Sequence, residues 1–166
     1  MKRSQRILVL GVGNVLLSDE GAGVHAVRWL EERYRFPGHV RLLDGGTLGL
    51  LLMDELLAAQ RLIVIDAVRG GQAPGSVYRL EKEGLRRGLG FSDSLHQLDL
   101  LDALNLHAMS GAAIPEIVVF GLEPENISAL SPALGAACRA ALPKLCRMVI
   151  NELRSFGCQA AEKRMD

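Results

Sequence analysis

An α/β fold with three layers, helices on both faces of a five-stranded and mostly parallel twisted sheet, is what this sequence predicts. Three observations carry that reading. Short, continuous apolar runs end in small or acidic residues at Arg6–Gly11 (RILVLG), Val40–Asp44 (VRLLD) and Arg61–Asp66 (RLIVID). Continuity rather than alternation marks strands covered on both faces. Helical patterns lie between the runs, and a strand–helix–strand series builds a parallel sheet with right-handed crossovers.

The elements follow in order. Gly23–Tyr34 sets Val24, Val27 and Leu30 or Trp29 on one helical face, and Leu48–Ala59 carries leucines at helical spacing. After Asp66 the glycines and proline of Gly70–Gly75 leave a connection too short for a helical crossover, so Ser76–Leu80 (SVYRL) is expected to be antiparallel. A glycine-rich loop, Gly84–Ser94, leads to a helix over Leu95–Met109, and Glu116–Gly121 (EIVVFG) reads as a further buried strand. A long helix over Ser131–Phe156 closes the fold, with Ser131 as N-cap and Pro132 in the first turn. Met1–Gln5 and Gln159–Asp166 read as loose tails, so one domain spans residues 1–166 with its core over about 6–156.

Bulk composition narrows the function. Nineteen basic and nineteen acidic side chains give a formal net charge of zero, and aromatic residues are few. Neither nucleic acid nor an anionic membrane surface has an electrostatic argument in its favour. The three cysteines, Cys138, Cys146 and Cys158, show no Cys-x-x-Cys pair and fit a reducing compartment as small helix or core residues. Lys2, Arg3 and Arg6 before Ile7–Leu17 imitate a signal peptide, but Asn14 and two glycines interrupt the run and Asp19–Glu20 follow at once. A cytoplasmic protein is expected.

The chemistry concentrates at the carboxyl ends of the strands, where ligands bind in open parallel sheets. Gly11-Val12-Gly13-Asn14 sits between strand and helix as a dinucleotide loop would. Leu16 occupies the third glycine position, however, and Asp19 and Glu20 stand at the helix entrance where they would repel a phosphate. The same acids suit a cation. Ser18 or Asp19 reads as the N-cap, Asp19 being the cap beside Glu20, and Glu20, flanked by Gly21 and Gly23, has an open approach. Asp66 ends a strand with no other polar atom and needs a metal or hydrogen-bond donors.

Of four histidines, His96 begins a helix directly after a flexible loop, with Asp99 placed to orient its ring. His107 is eleven residues further on, roughly 16 Å along a helix, too far to share an ion with it. His25 lies five residues after Glu20, on another face, and His39 falls in a turn. Glu20, Asp66 and His96 together form a mixed oxygen and nitrogen set suited to nickel or zinc with coordination positions left open. No nucleophile stands out beside them.

These residues resemble a known family. Gly11-Val12-Gly13-Asn14-Val15-Leu16-Leu17-Ser18-Asp19-Glu20-Gly21-Ala22-Gly23 is similar to the opening signature of hydrogenase maturation proteases, which process the large subunit of nickel–iron hydrogenases. Asp44-Gly45-Gly46-Thr47, Ile65-Asp66-Ala67, Ser94-Leu95-His96-Gln97 and Gly121-Leu122-Glu123-Pro124-Glu125 continue the resemblance in family order. It implies a phosphorylase/hydrolase-like fold and an endopeptidase that removes a C-terminal extension from the large-subunit precursor after nickel insertion. It further implies that Glu20, Asp66 and His96 are the nickel-binding and catalytic set, the nickel being carried by the substrate; other divalent ions can occupy the same ligands in vitro. Asp44, Gly45, Gly46 and Thr47 are expected to hold the substrate strand or an oxyanion, and the enzyme to act as a monomer. A metal chaperone using the same triad and a nucleotide-binding oxidoreductase are the competing readings.

Overall fold

The computed structural model describes residues 5–47, 52–81, 104–105, 108–111 and 113–164. Its strands and helices are β1 (Ile7–Val12), α1 (Ala22–Arg33), β2 (Tyr34–Arg35), β3 (Val40–Gly46), α2 (Met53–Ala58), β4 (Arg61–Ala67), β5 (Val77–Glu81), β6 (Glu116–Leu122), α3 (Ala136–Ser155) and β7 (Ala161–Glu162). Five strands form one sheet in the order β3-β1-β4-β6-β5. The first three pairings are parallel, and β5 runs antiparallel to β6 at the edge. The short Gly70–Gly75 turn dictates that reversal, as expected.

Alternate residues of each strand feed two apolar layers. Ile7, Val9, Ile63, Ile65, Val118 and Phe120 pack against α1 and α3 through Ala26, Val27, Leu30, Leu145, Cys146 and Val149. Leu8, Leu10, Leu62, Val64, Ile117 and Val119 pack on the opposite face against Leu56 of α2, Ala59 and Leu104. This is why the strands read as unbroken apolar runs: both pleat faces are buried under helices.

The polypeptide winds from β1 through α1 to β3 on one side, then through α2 to β4 on the other side of β1. The strand order therefore reverses at β1, and open α/β sheets carry their ligand crevice beyond the carboxyl ends at such a point, here those of β1 and β4.

Several local expectations are corrected. The C-terminal segment is not a loose tail: β7 pairs antiparallel with β2, and the Lys163 amide donates to the Arg33 carbonyl at 2.7 Å. Ser131 and Pro132 do not open the last helix, which begins at Ala136 after an N-cap at Gly135. Ser131 instead bridges Leu17 in parallel, its amide donating to the Leu16 carbonyl at 2.9 Å. A tertiary pairing thus overrides a local capping signal. Of the helix expected over Leu48–Ala59, α2 covers Met53–Ala58, and residues 48–51 lie outside the described residues. Of the helix expected over Leu95–Met109, Leu104, Asn105, Ala108 and Met109 are helical, and residues 95–103 and 106–107 lie outside the described residues. So does the loop expected over Gly84–Ser94.

Candidate active site at the carboxyl ends of the strands

Glu20 sits on a 3-10 turn, Ser18–Gly21, that joins the β1 loop to α1. Glycines bring that turn onto the sheet. A β-carbon on Gly23 would lie 2.0 Å from the Ile65 carbonyl oxygen, and one on Gly11 would lie 2.2 Å from the Gly23 carbonyl oxygen. Gly13, at φ +130°, meets the Glu20 carbonyl in the same way, at 1.9 Å from a built β-carbon. Backbone therefore packs on backbone, which only glycine permits. The clearance these glycines supply is used by the protein's own helix entrance rather than by an approaching ligand, which corrects the open approach expected of Gly23. Glu20 is left partly exposed with its Oε2 atom shielded from solvent.

Asp66 closes β4 in the same crevice. It lies in register with Gly121 of β6, and the preceding Ile65 is level with Gly11 of β1. Only 2% exposed, its carboxylate accepts the Ala67 amide through Oδ1 at 2.7 Å. Val64 and Val68, two residues to either side, pack in the layer of Leu56 and Leu104, so alternation directs Asp66 toward that layer. His96, eight residues before Leu104, lies outside the described residues. Among the described residues, no three His, Cys, Asp or Glu side chains gather as a metal-binding group.

Asp19 differs most from its expected role. Neither it nor Ser18 caps the following helix; the N-cap position of the turn is Leu17, and no side chain bonds it. Instead Asp19 is fully buried, and its carboxylate reaches across to the loop between β6 and α3. Oδ2 accepts the amides of Glu125 and Asn126 at 2.9 and 3.1 Å, and Oδ1 accepts that of Gly135 at 2.7 Å. The Asp19 amide returns a bond to the Asn126 carbonyl at 3.0 Å. Ser18, held at φ 52°, adds a bond from its amide to the Ser131 carbonyl at 2.8 Å. The acid next to Glu20 is thus a clasp that fixes the turn to a second loop. Cys138 lies against this clasp, and burial together with the Asp19 charge pushes its thiol up to about 12.

The Asp44–Thr47 turn ends β3, on the far side of β1 from Asp66. Two strand spacings separate the two aspartates, roughly 10 Å. Asp44 ion-pairs with Arg28 of α1 at 2.9 Å, and its Oδ1 accepts the Gly46 amide at 3.2 Å. Gly45 is buried, Gly46 accepts the Gly13 amide at 2.9 Å, and Thr47 is exposed.

Beside Arg28 and Asp44 stands His25, whose pKa lies below the ordinary imidazole value because burial and the Arg28 charge disfavour the cation. Its Nε2 is buried with no hydrogen-bond partner among the described residues.

Glu123, directly after β6 and within the Gly121–Glu125 block of the resemblance, is a further buried acid for which the sequence suggests no role. It accepts the Tyr78 hydroxyl and the Gly70 amide, fastening the turn before β5. A cavity of about 470 Å³ lined by Arg6, His39, Arg41 and Glu55 lies at the amino ends of β1 and β3, away from all these acids.

The whole arrangement has known counterparts. The family model described as hydrogenase maturation protease (HycI) matches residues 24–152. Over 161 residues the chain is 42% identical to the hydrogenase expression/formation protein HoxM of Azotobacter vinelandii, a match covering 96% of this chain and 78% of that one. It is 37% identical over 159 residues to the hydrogenase 2 maturation protease of Escherichia coli K12, covering 93% and 94% of the two chains. The hydrogenase maturating endopeptidase HybD from E. coli superposes with a TM-score of 0.88 at 35% identity, over 95% of this chain and 98% of that one. With its fold and sequence alike along nearly the full length of these proteins, the chain belongs to the hydrogenase maturation protease family and is a peptidase.

Proposed function

We propose that this peptidase removes the C-terminal extension of the large-subunit precursor of a nickel–iron hydrogenase once nickel has been inserted, with Glu20, Asp66 and His96 engaging the nickel that the precursor carries. The observation that supports this most is the convergence of two acids on one crevice. The turn bearing Glu20 packs against the end of β4, which bears Asp66, at the point where the strand order reverses. Leu104, from the segment that follows His96, packs in the layer toward which Asp66 is directed.

Two carboxylates and a neutral imidazole complete the coordination of an exposed metal without enclosing it, which suits a metal delivered by a substrate. The ion positions the scissile peptide. A carboxylate acts as general base: it takes a proton from water as the water oxygen bonds to the scissile carbonyl carbon. The carbon–nitrogen bond then breaks, and the same proton passes to the leaving amine. In this reading the Asp44–Thr47 turn holds the substrate strand, with exposed Thr47 facing it and the Gly46 amide already engaged by Asp44. The enzyme works in the cytoplasm as a monomer, in keeping with three unpaired buried thiols.

The test is incubation with nickel-loaded precursor, read by mass spectrometry of the precursor's C-terminus. Glu20→Gln, Asp66→Asn and His96→Ala are each expected to abolish the mass loss while retaining the fold. Processing at normal rates by all three would refute the assignment of these residues, and efficient cleavage of nickel-free precursor would remove the metal from recognition.

A further inference from the structure

Two large apolar side chains stand exposed beside the acid-bearing turn, Leu16 at 57% and Leu130 at 85%. They come from loops far apart in the chain but adjacent in space. The Ser131 amide donates to the Leu16 carbonyl, and Leu17 and Ser131 form a parallel bridge. Both loops are held firmly. Asn14 Oδ1 accepts the Leu16 amide at 3.0 Å, Asn126 Oδ1 accepts those of Ser128 and Ala129, and the Asp19 clasp joins the two loops. These leucines are therefore presented by ordered backbone.

The two loops that present them carry no charge of their own, and charged groups stand at their edge, where Arg139 reaches back to the Leu134 carbonyl and His25, beside Arg28, bonds the Pro132 carbonyl. No charged residue occurs between Arg6 and Asp19, or between Glu125 and Arg139. Ala129, Pro132 and Ala133 extend the exposed apolar surface around Leu130. An uncharged apolar patch on an ordered part of a surface is the composition of the centre of a protein–protein interface.

Its position says what covers it. Leu16 is four residues from Glu20, a reach of at most ~14 Å. A standard protein–protein footprint is about 800 Å² on each partner, a disc roughly 16 Å in radius. A folded substrate presenting a peptide to Glu20 cannot avoid Leu16 and the neighbouring Leu130.

We infer that Leu16 and Leu130 form the docking surface for an apolar patch on the body of the protein substrate, beside its scissile segment. This rests on the reading of the chain as a peptidase acting on a folded precursor at Glu20. The substrate's apolar side chains are buried against the two leucines, so affinity for the whole protein depends on them.

The test compares wild type with Leu16→Asp and Leu130→Asp. Each side chain is solvent-exposed, so melting temperatures are expected within about 2 °C of wild type. Each substitution is expected to raise KM for nickel-loaded precursor about tenfold, and to weaken its binding to the same extent in a calorimetric titration, with kcat at saturation retained. Met109→Asp, equally exposed but in the segment preceding the amino end of β6, is the control and should change neither. Unchanged KM and affinity in both leucine variants, with wild type cleaving normally, would overturn the docking surface and leave the peptidase reading standing. Wild type that binds the precursor through the leucines without cleaving it would overturn the reading of the reaction and leave the surface standing. Sedimentation showing a wild-type dimer that Leu130→Asp dissolves would assign the patch to self-association and overturn the proposal.

Discussion

Replacing Asp19 with asparagine tests whether this acid is a clasp rather than a catalyst. In the native protein its carboxylate accepts three amides, from Glu125, Asn126 and Gly135. Hydrogen bonds to a charged acceptor contribute roughly 1.5–3 kcal/mol each, neutral ones about 1 kcal/mol. Asparagine has one carbonyl oxygen. Placed where Oδ2 lies, it keeps two neutral bonds and turns an NH2 group toward the Gly135 amide, donor against donor. The loss comes to about 2.5–7 kcal/mol. For a domain of this size each kcal/mol moves the melting temperature by ~2–4 °C, so a fall of at least about 5 °C is expected. Differential scanning calorimetry reads it, with Glu125→Gln as a control that removes the same charge from the exposed side chain of the same loop. An asparagine variant melting within 2 °C of wild type would refute the clasp.

Three further outcomes follow from described contacts. Gly23→Ala sets a methyl against the Ile65 carbonyl, where a β-carbon would lie at 2.0 Å, so it should lower the melting temperature more than Asp19→Asn or prevent soluble expression. The His25 pKa is lowered from 6.5 by burial first, then by Arg28, against opposing contributions from the Pro132 carbonyl and Asp44. The unfolded chain then binds the proton more readily, so stability falls as pH drops from about 6.5 through the lower folded value; urea midpoints from pH 7 to 5 should fall less steeply for His25→Gln. Burial pushes the Cys138 and Cys146 thiols up to about 12 and raises that of Cys158, so none should react with a thiol reagent at pH 8 until the protein is unfolded.

The sheet was legible because its central strands β1, β4 and β6 are buried on both faces and declare themselves without any tertiary information, while β3 and β5, partly exposed at the edges, rest on their place in the chain. Asp66 was legible for a related reason, as an acid directly after Ile63-Val64-Ile65 at the end of the sheet where parallel folds bind ligands. Glu20 stood out through its loop. Asp19 did not reveal its role, because its bonding partners lie 106 to 116 residues further along the chain and no local pattern encodes them. Ser131-Pro132 misled for the same reason: the dipeptide carries a helix-start signal, while the pairing of Ser131 with Leu17 is fixed by distant packing. Tyr34–Arg35 and Ala161–Glu162 are too short for periodicity to register as strands.

The contact between Gly11 and Gly23 has a bearing on how this protein can be altered. Because the helix entrance rests on main-chain atoms of β1 and β4, its location depends on backbone contact as well as on the side chains of α1 that pack below it. The two apolar layers can then be repacked, by evolution or by design, with volume changes absorbed in α2 and α3, while Glu20 keeps its place relative to the end of β4. A family built this way can diverge widely in its core and still hold its acids in one geometry.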